Sequence, residues 1–144
     1  LRVDIESMLI DKSLKVADLP IVWNEQIKQY LDLEVPDDSQ GVLQDIHWSG
    51  GQFGTFCNYT IGNVMAAQLM ETMKKTNPEI QTDINQANYE PLLNWLTSNI
   101  HTHGRRYTRN ELLERSTGET LNPIPYINYL KGKASQVYGV KFND

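Results

Sequence analysis

The chain has 144 residues, of which 40% are hydrophobic and 22% are charged. This composition is typical of a soluble globular protein with one core and argues against a disordered chain. The net charge of −5 argues against a general nucleic-acid binder, whose phosphate contacts require an excess of Lys and Arg. A single cysteine, Cys57, excludes an internal disulfide, and no apolar run approaches the roughly 18 residues of a membrane span. We therefore expect a cytoplasmic protein without a membrane partner.

Helical periodicity dominates the first half of the chain. Residues 1–15 carry apolar side chains at helical spacing, and a second helix is predicted to begin with Asp18 as its N-cap and to end at Pro36. Four glycines within residues 41–54 break the periodicity and predict a short helical turn followed by a structured loop. A longer amphipathic helix is predicted over residues 60–75.

The helical pattern continues in the second half. A weak helix is predicted over residues 79–86, and a longer one from Pro91 to about His103, where Gly104 fits a C-terminal cap. Thr108 and Glu111 have the spacing of a capping box, which predicts the start of another helix.

The last predicted helix begins at Asn122-Pro123. Its expected buried stripe consists of Tyr126, Ile127, Leu130 and Val137. The sequence contains no strand pattern, internal repeat or linker-like run. It therefore predicts a single all-α domain over residues 1–144.

The densest group of chemically active side chains lies in residues 41–51, where Gln44, Asp45, His47 and Trp48 precede a glycine-rich turn. An aspartate two residues before a histidine can orient the imidazole or raise its basicity. A positioned histidine can move a proton or donate a hydrogen bond to a developing oxyanion. Alternatively, Asp45 caps a turn while His47 and Trp48 pack in the interior.

Two further side chains follow this segment. Tyr59 lies twelve residues after His47, and its phenol could reach the same cleft, with core packing as the alternative. Cys57 has no neighbouring His or Lys to favour a thiolate, so a buried small residue is the preferred interpretation. A self-sufficient hydrolase that pairs Cys57 with His47 or His101 stays an alternative hypothesis.

A second cluster occupies residues 101–107, where two histidines and two arginines precede a tyrosine. The adjacent Arg105 and Arg106 suit a carboxylate or a phosphate, or they favour the end of a helix through its dipole. His101 and His103 are two positions apart and diverge on a helix, and no acidic third ligand has metal spacing. We therefore expect no complete metal site in this chain.

Four stretches resemble the carboxypeptidase Taq family of zinc metallocarboxypeptidases, in the same order along the chain. Residues 41–48 carry every fixed position of the family signature Gly-x-x-Gln-Asp-x-His-Trp. Residues 1–6 resemble its Ile-Arg-x-x-Ala-Asp motif conservatively, and residues 101–107 and 121–126 agree with it as well. The chain departs from the family at residues 55–57, where Thr-Phe-Cys replaces the common Tyr-Phe-Pro.

The resemblance implies an enzyme that removes single C-terminal residues from peptides, with a gluzincin fold like that of neurolysin, a deep groove and a homodimeric assembly. His47 and Tyr59 would then donate hydrogen bonds to the transition state. The implied contacts with substrate come from Arg105, Arg106, Arg2, Gln44, Asp45 and Trp48.

The zinc-binding His-Glu-x-x-His segment of this family precedes the Ile-Arg motif, and here that motif begins at Leu1. We therefore expect this chain to be the C-terminal portion of a larger enzyme, with zinc bound outside it and no activity of its own. The alternative is a noncatalytic helical module that binds peptides or a protein partner.

Overall fold

Every regular element of the protein is helical within residues 1–142, which are the residues described by this computed structural model. This finding confirms the all-α prediction. The α-helices are α1 (Arg2–Ile10), α2 (Leu19–Leu31), α3 (Phe56–Thr76), α4 (Ile80–Asn85), α5 (Glu90–Asn99), α6 (Arg109–Thr117) and α7 (Ile124–Tyr138). Short 3₁₀ turns occupy Val16–Asp18, Val42–Gln44 and His101–His103. None of the described helices is both long and apolar enough to cross a membrane.

The helices form two compact units, Leu1–Thr60 and a second that starts at Ile61. The single domain predicted for residues 1–144 stays a prediction, and its positions 143–144 lie outside the described range. The core of the first unit consists of Ile5, Leu14, Trp23 and Val42. Because these side chains come from α1, the turn after it, α2 and the loop after α2, their packing fixes the loop against both helices.

Helices α1 and α2 end earlier than the sequence predicts. The Asp11 carboxylate accepts a hydrogen bond from the Ser13 backbone N–H at 2.9 Å, and Lys12 has a φ of 67°, so a turn replaces the expected helix up to residue 15. Asp32 has a φ of 54° and ends α2 at Leu31, before Pro36. Asp18 does occupy the N-cap position of α2, but its side chain makes no capping hydrogen bond.

The glycine-rich segment forms a short 3₁₀ turn followed by a loop, as predicted. Gly41 is buried at the start of this turn. A Cβ atom added there would lie 2.6 Å from Val35 Cγ1 and 3.2 Å from the Asp37 carbonyl oxygen. The close approach of the chain around residues 35–41 therefore requires glycine.

We expect Gly41→Ala to destabilise the protein by about 1–3 kcal/mol, because Val35 and the backbone at Asp37 must move to make room. Gly62→Ala is the matched control, since a Cβ at this α3 position meets no atom within 4 Å and alanine favours a helix by about 1 kcal/mol. Thermal unfolding of both variants measures the difference. A Gly41→Ala protein as stable as Gly62→Ala would contradict the steric argument.

A buried glutamine organises the second unit. Gln68 on α3 is 1% exposed, and its amide nitrogen donates to Thr117 Oγ1 at 3.1 Å and to the Thr120 carbonyl at 2.8 Å. Its Oε1 accepts the Asn122 N–H at 3.0 Å. These bonds satisfy both ends of the amide and tie α3 to the connection between α6 and α7.

The capping box at α6 is confirmed. Thr108 Oγ1 accepts the Glu111 N–H at 3.3 Å, and the Glu111 carboxylate accepts the Thr108 N–H at 2.8 Å. The Thr108 hydroxyl also donates to Glu111 Oε2 at 2.7 Å. Donation from the Thr108 backbone N–H and then from this hydroxyl lowers the pKa of the Glu111 carboxyl. Gly118 ends the helix with a φ of 87°, again as predicted.

The buried stripe predicted for α7 is wrong in three of its four positions. Tyr126 is half-buried, but Ile127, Leu130 and Val137 are exposed, and the buried residue of this helix is Pro125. An apolar stripe identifies the face that can be covered, but not whether a neighbouring element covers it.

Candidate functional site

An open groove of about 670 Å³ crosses the first unit. Its walls combine aromatic rings with a few polar side chains. The lining includes Arg2 on α1, Trp23 on α2, His47 in the loop, and Phe56 and Tyr59 at the start of α3. This pattern, apolar walls with a few convergent polar groups, is typical of a site that binds an organic ligand.

Asp45 fixes the loop that carries the histidine. Its carboxylate is 1% exposed, and Oδ1 accepts the backbone N–H groups of His47 at 2.9 Å and Trp48 at 3.0 Å. The proposed turn cap at Asp45 is therefore present. Its second oxygen, Oδ2, faces Arg2 and His47, so the carboxylate also contacts the side chains of the groove.

Arg2 enters the groove between two aromatic rings. Its guanidinium carbon lies 5.4 Å from the centre of the Trp23 ring and 5.1 Å from that of Phe56, within the range of cation–π attraction. Its Nε lies 3.3 Å from Asp45 Oδ2. Two ring contacts and a buried carboxylate therefore hold the guanidinium in the groove.

His47 lies between Asp45 and Tyr59. Its Nδ1 is 3.5 Å from Asp45 Oδ2, and its Nε2 is 3.5 Å from the Tyr59 hydroxyl oxygen. The Phe56 ring packs against the imidazole with 4.6 Å between centroids. The structure thus brings Arg2, Asp45, His47 and Tyr59 together. Core packing, the alternative for Tyr59, is wrong because this residue is 62% exposed.

Glu6 supports this site and was not among the predicted site residues. It is 4% exposed on α1, and its two oxygens accept hydrogen bonds from Trp48 Nε1 at 3.2 Å and from the Gly54 N–H at 3.1 Å. The sequence signal was its place at the acidic position of the Ile-Arg-x-x-Ala-Asp motif. Its partners, more than 40 positions away, could not be identified from that signal.

Other predicted residues lie elsewhere. Gln44 is exposed and its amide donates to the Ser39 carbonyl, within its own loop. Trp48 donates to Glu6 and packs edge-to-face on Trp23, with 6.1 Å between centroids. Both contacts organise the loop and the core beneath it.

Arg105 and Arg106 belong to the second unit, where their side chains are exposed in the turn before α6. Tyr107, which follows them, is held between the His103 ring at 5.4 Å and the Arg115 guanidinium at 4.2 Å. A 3₁₀ turn, His101–His103, follows α5, and the arginines come after this turn.

The described residues do not fit a metal site. No group of three or more His, Cys, Asp or Glu side chains within residues 1–142 is arranged to hold an ion. Cys57 Sγ contacts the Gly54 carbonyl at 3.6 Å and Asn58 Oδ1 at 4.0 Å, and neither oxygen is a base that could activate a thiol.

Comparison with known proteins extends these observations. The family described as carboxypeptidase Taq (M32) metallopeptidase matches residues 1–134. Carboxypeptidase 1 of Bacillus subtilis is 37% identical over 96% of this chain, and thermostable carboxypeptidase 1 of Pyrococcus furiosus is 35% identical over 92% of it. The chain spans only about 27–28% of the length of these curated relatives.

Solved structures give the same result. The M32 carboxypeptidase of Deinococcus radiodurans is 41% identical and superimposes with a TM-score of 0.89, over 96% of this chain and 28% of that one. Metallocarboxypeptidase 1 of Trypanosoma cruzi is 40% identical with a TM-score of 0.86, over 92% of this chain and 28% of that one. These likenesses agree with the expected gluzincin-type helical fold. The chain belongs to the carboxypeptidase Taq (M32) family of metallopeptidases.

Proposed function

We propose that this chain forms the substrate-binding part of a zinc-dependent metallocarboxypeptidase that removes single residues from the C-terminus of peptides. The observation that carries the proposal is the presence of Arg2, His47 and Tyr59 in one groove with aromatic walls. The three side chains supply a permanent cation, an imidazole and a phenol. These groups suit a ligand with a carboxylate at one end and a polarised carbonyl beside it.

Arg2 is the residue we assign to the C-terminal carboxylate of the substrate. Its Nε faces Asp45, and its side chain is 36% exposed to the groove. A guanidinium has five N–H donors, so contact through Nε leaves the terminal nitrogens available for a second carboxylate. The aromatic contacts with Trp23 and Phe56 hold it in place before the substrate arrives.

His47 and Tyr59 are the groups we assign to the scissile carbonyl. Both can donate a hydrogen bond, and Nε2 and the hydroxyl oxygen are 3.5 Å apart, so one substrate oxygen can contact both. Donors positioned in advance stabilise the charge that develops on this oxygen in the transition state.

Arg105 and Arg106 are further residues that we assign to the peptide substrate. Neither forms an ion pair among the described residues, which leaves two adjacent permanent charges for a peptide carboxylate or backbone. The contacts of Tyr107 with His103 and Arg115 restrain the turn that carries these arginines. We propose that they influence the preferred length of the peptide.

The metal of the proposed enzyme would be bound by residues outside this chain, because residues 1–142 offer no ligand set. Zinc is the proposed ion, and it would supply Lewis-acid activation of the peptide bond. We also propose a cytoplasmic location, in agreement with the single free thiol, and a homodimeric whole protein.

The proposal predicts distinct effects of the arginines in the intact protein. Arg2→Gln should raise KM about tenfold or more for peptides of every length, because a charge-assisted hydrogen bond contributes about 1.5–3 kcal/mol. Arg105→Gln and Arg106→Gln should instead change the ratio of kcat/KM between short and long peptides. Steady-state hydrolysis of a peptide series measures both effects.

C-terminally amidated peptides are the control, because they lack the carboxylate assigned to Arg2. They should be poor substrates for the unmodified protein and insensitive to Arg2→Gln. Equal use of amidated and free peptides would remove the carboxylate role from Arg2. An intact protein that binds peptides without cleaving any of them would instead favour the noncatalytic module.

A further inference from the structure

One buried oxygen in the groove has two neighbours and a good hydrogen bond with neither. Asp45 Oδ2 lies 3.3 Å from Arg2 Nε and 3.5 Å from His47 Nδ1. Within residues 1–142, Oδ2 and Nδ1 are both buried and neither has a partner that meets hydrogen-bond geometry. A buried carboxylate oxygen without a hydrogen bond is unfavourable. A shift of Asp45 Oδ2 by a few tenths of an ångström toward Arg2 Nε or toward His47 Nδ1 forms a hydrogen bond and stabilises the carboxylate.

The other oxygen of Asp45 cannot share this role. Oδ1 already accepts the His47 and Trp48 N–H groups at 2.9 and 3.0 Å. Rotation of the carboxylate would break both bonds and release the turn. Oδ2 therefore stays between Arg2 and His47. What can change is whether it bonds to Arg2 Nε or to His47 Nδ1.

We propose that Asp45 is a positioning residue that couples an anion bound at Arg2 to the position of the protons on His47. The inference rests on the proposed function, because the anion is the substrate carboxylate assigned to Arg2. A second carboxylate on the guanidinium divides its charge between two partners and weakens its attraction for Oδ2. Oδ2 is then released toward Nδ1 of His47, which must carry a hydrogen to be its partner.

The consequence concerns the opposite side of the imidazole. With a hydrogen on Nδ1, a neutral His47 presents a lone pair at Nε2, which accepts the Tyr59 hydroxyl proton. When His47 is protonated, Nε2 donates instead. Binding of the carboxylate thus excludes the Nε2–H neutral tautomer. The hydrogen that Nε2 donates to the substrate oxygen then belongs to the imidazolium, which carries hydrogens on both nitrogens and keeps its Nδ1–H on Asp45 Oδ2.

No other charged group competes for this ring in the contacts of the described residues. From α3, His47 meets Phe56 and Tyr59, and from its own loop it meets Asp45. The nearby Glu6 carboxylate is already bonded to Trp48 Nε1 and the Gly54 N–H. Asp45 is therefore the group through which Arg2 can act on His47.

Asp45→Asn is the informative variant because the oxygen and the nitrogen of the new amide can each take only one of the two carboxylate positions. Its oxygen must stay at the Oδ1 position to accept the two backbone N–H groups. Its NH2 group then occupies the Oδ2 position, where it donates to Nδ1 of His47 and places the ring hydrogen on Nε2. The turn is retained while the tautomer is inverted.

The test uses histidine ring 15N resonances of the labelled intact protein, at an alkaline pH at which imidazoles are neutral. The His47 signal is identified by its loss in His47→Gln. We expect Nδ1–H in the unmodified protein with N-acetylglycine, a smaller fraction with N-acetylglycinamide, and Nε2–H in Asp45→Asn with either probe. Arg2→Gln should abolish the difference between the probes.

Several results would overturn the coupling. These are a predominantly Nε2–H His47 in the presence of N-acetylglycine, an unchanged tautomer in Asp45→Asn, or equal responses to the two probes. Peptide hydrolysis is scored separately. Cleavage of peptides without the tautomer response would support the proposed function and contradict the coupling. The tautomer response without cleavage would support the coupling and contradict the proposed function.

Kinetics add a second measurement. Asp45→Asn should lower kcat about tenfold to a hundredfold in the intact protein, with a smaller change in KM, because an NH2 group at the Oδ2 position opposes the Nδ1–H of the imidazolium that donates to the substrate oxygen. A purely structural role for Asp45 would lower the unfolding temperature and leave the tautomer and kcat of the folded fraction unchanged.

Discussion

Replacing His47 with Ala in the intact protein is expected to lower kcat about a hundredfold or more, which is about 2.7 kcal/mol of transition-state stabilisation. The reason is geometric: Nε2 lies in the groove 3.5 Å from the Tyr59 hydroxyl, where a substrate oxygen can contact both groups. KM should change less than kcat, because the carboxylate contact assigned to Arg2 is retained. Metal content should be unchanged, because no metal ligand set includes His47 among the described residues. Steady-state kinetics and metal analysis of one preparation measure all three quantities.

His101→Ala is the matched control for this experiment. His101 is exposed in the 3₁₀ turn after α5, so its removal should leave kcat within about twofold of the unmodified value. A His47→Ala protein with the same turnover would exclude His47 from the mechanism. A loss of metal together with activity would show instead that the loop supports the metal-binding segment.

The motif at residues 41–48 predicted the local part of the site, because the contacts between Asp45 and the following backbone depend on short sequence separation. The long-range part could not be predicted in the same way. Arg2 was one of six residues implied to contact the substrate, and the sequence did not indicate that its Nε lies 3.3 Å from Asp45 Oδ2. That contact exists because α1 packs on α2 and the loop around a shared core, and local patterns do not specify this packing.

Helix boundaries show the same division between local and tertiary effects. The start of α6 was predicted correctly because Thr108 and Glu111 complete a hydrogen-bonded cap within four residues. The end of α1 was not predicted, because the apolar spacing continues to Leu14, whereas the Asp11–Ser13 hydrogen bond and the positive φ of Lys12 turn the chain before it. On α7, periodicity located an apolar face, but its exposure depends on which element packs against it.

Glu6→Ala is expected to have the largest effect on stability. The variant removes the acceptor of two donors at once, Trp48 Nε1 and the Gly54 N–H, in a part of the first unit where Glu6 itself is 4% exposed. Each unsatisfied buried donor costs about 1–3 kcal/mol, so we expect a loss of about 2–4 kcal/mol after partial solvation. The stability of Glu6→Gln should lie between that of Glu6→Ala and that of the unmodified protein. An amide keeps one acceptor oxygen, but its NH2 group opposes the second donor.

The expected damage is local to the loop that carries His47, and hydrogen exchange in the intact protein can therefore separate it from global unfolding. The Gly54 amide should lose protection in both Glu6 variants, by more in Glu6→Ala. Glu25→Ala is the matched control, because Glu25 is exposed on α2 and makes no hydrogen bond or ion pair from its side chain among the described residues. Unchanged protection at Gly54 in Glu6→Ala would mean that the loop is held by Asp45 and core packing alone. A protected Gly54 with reduced kcat would instead place Glu6 in the electrostatics of the groove.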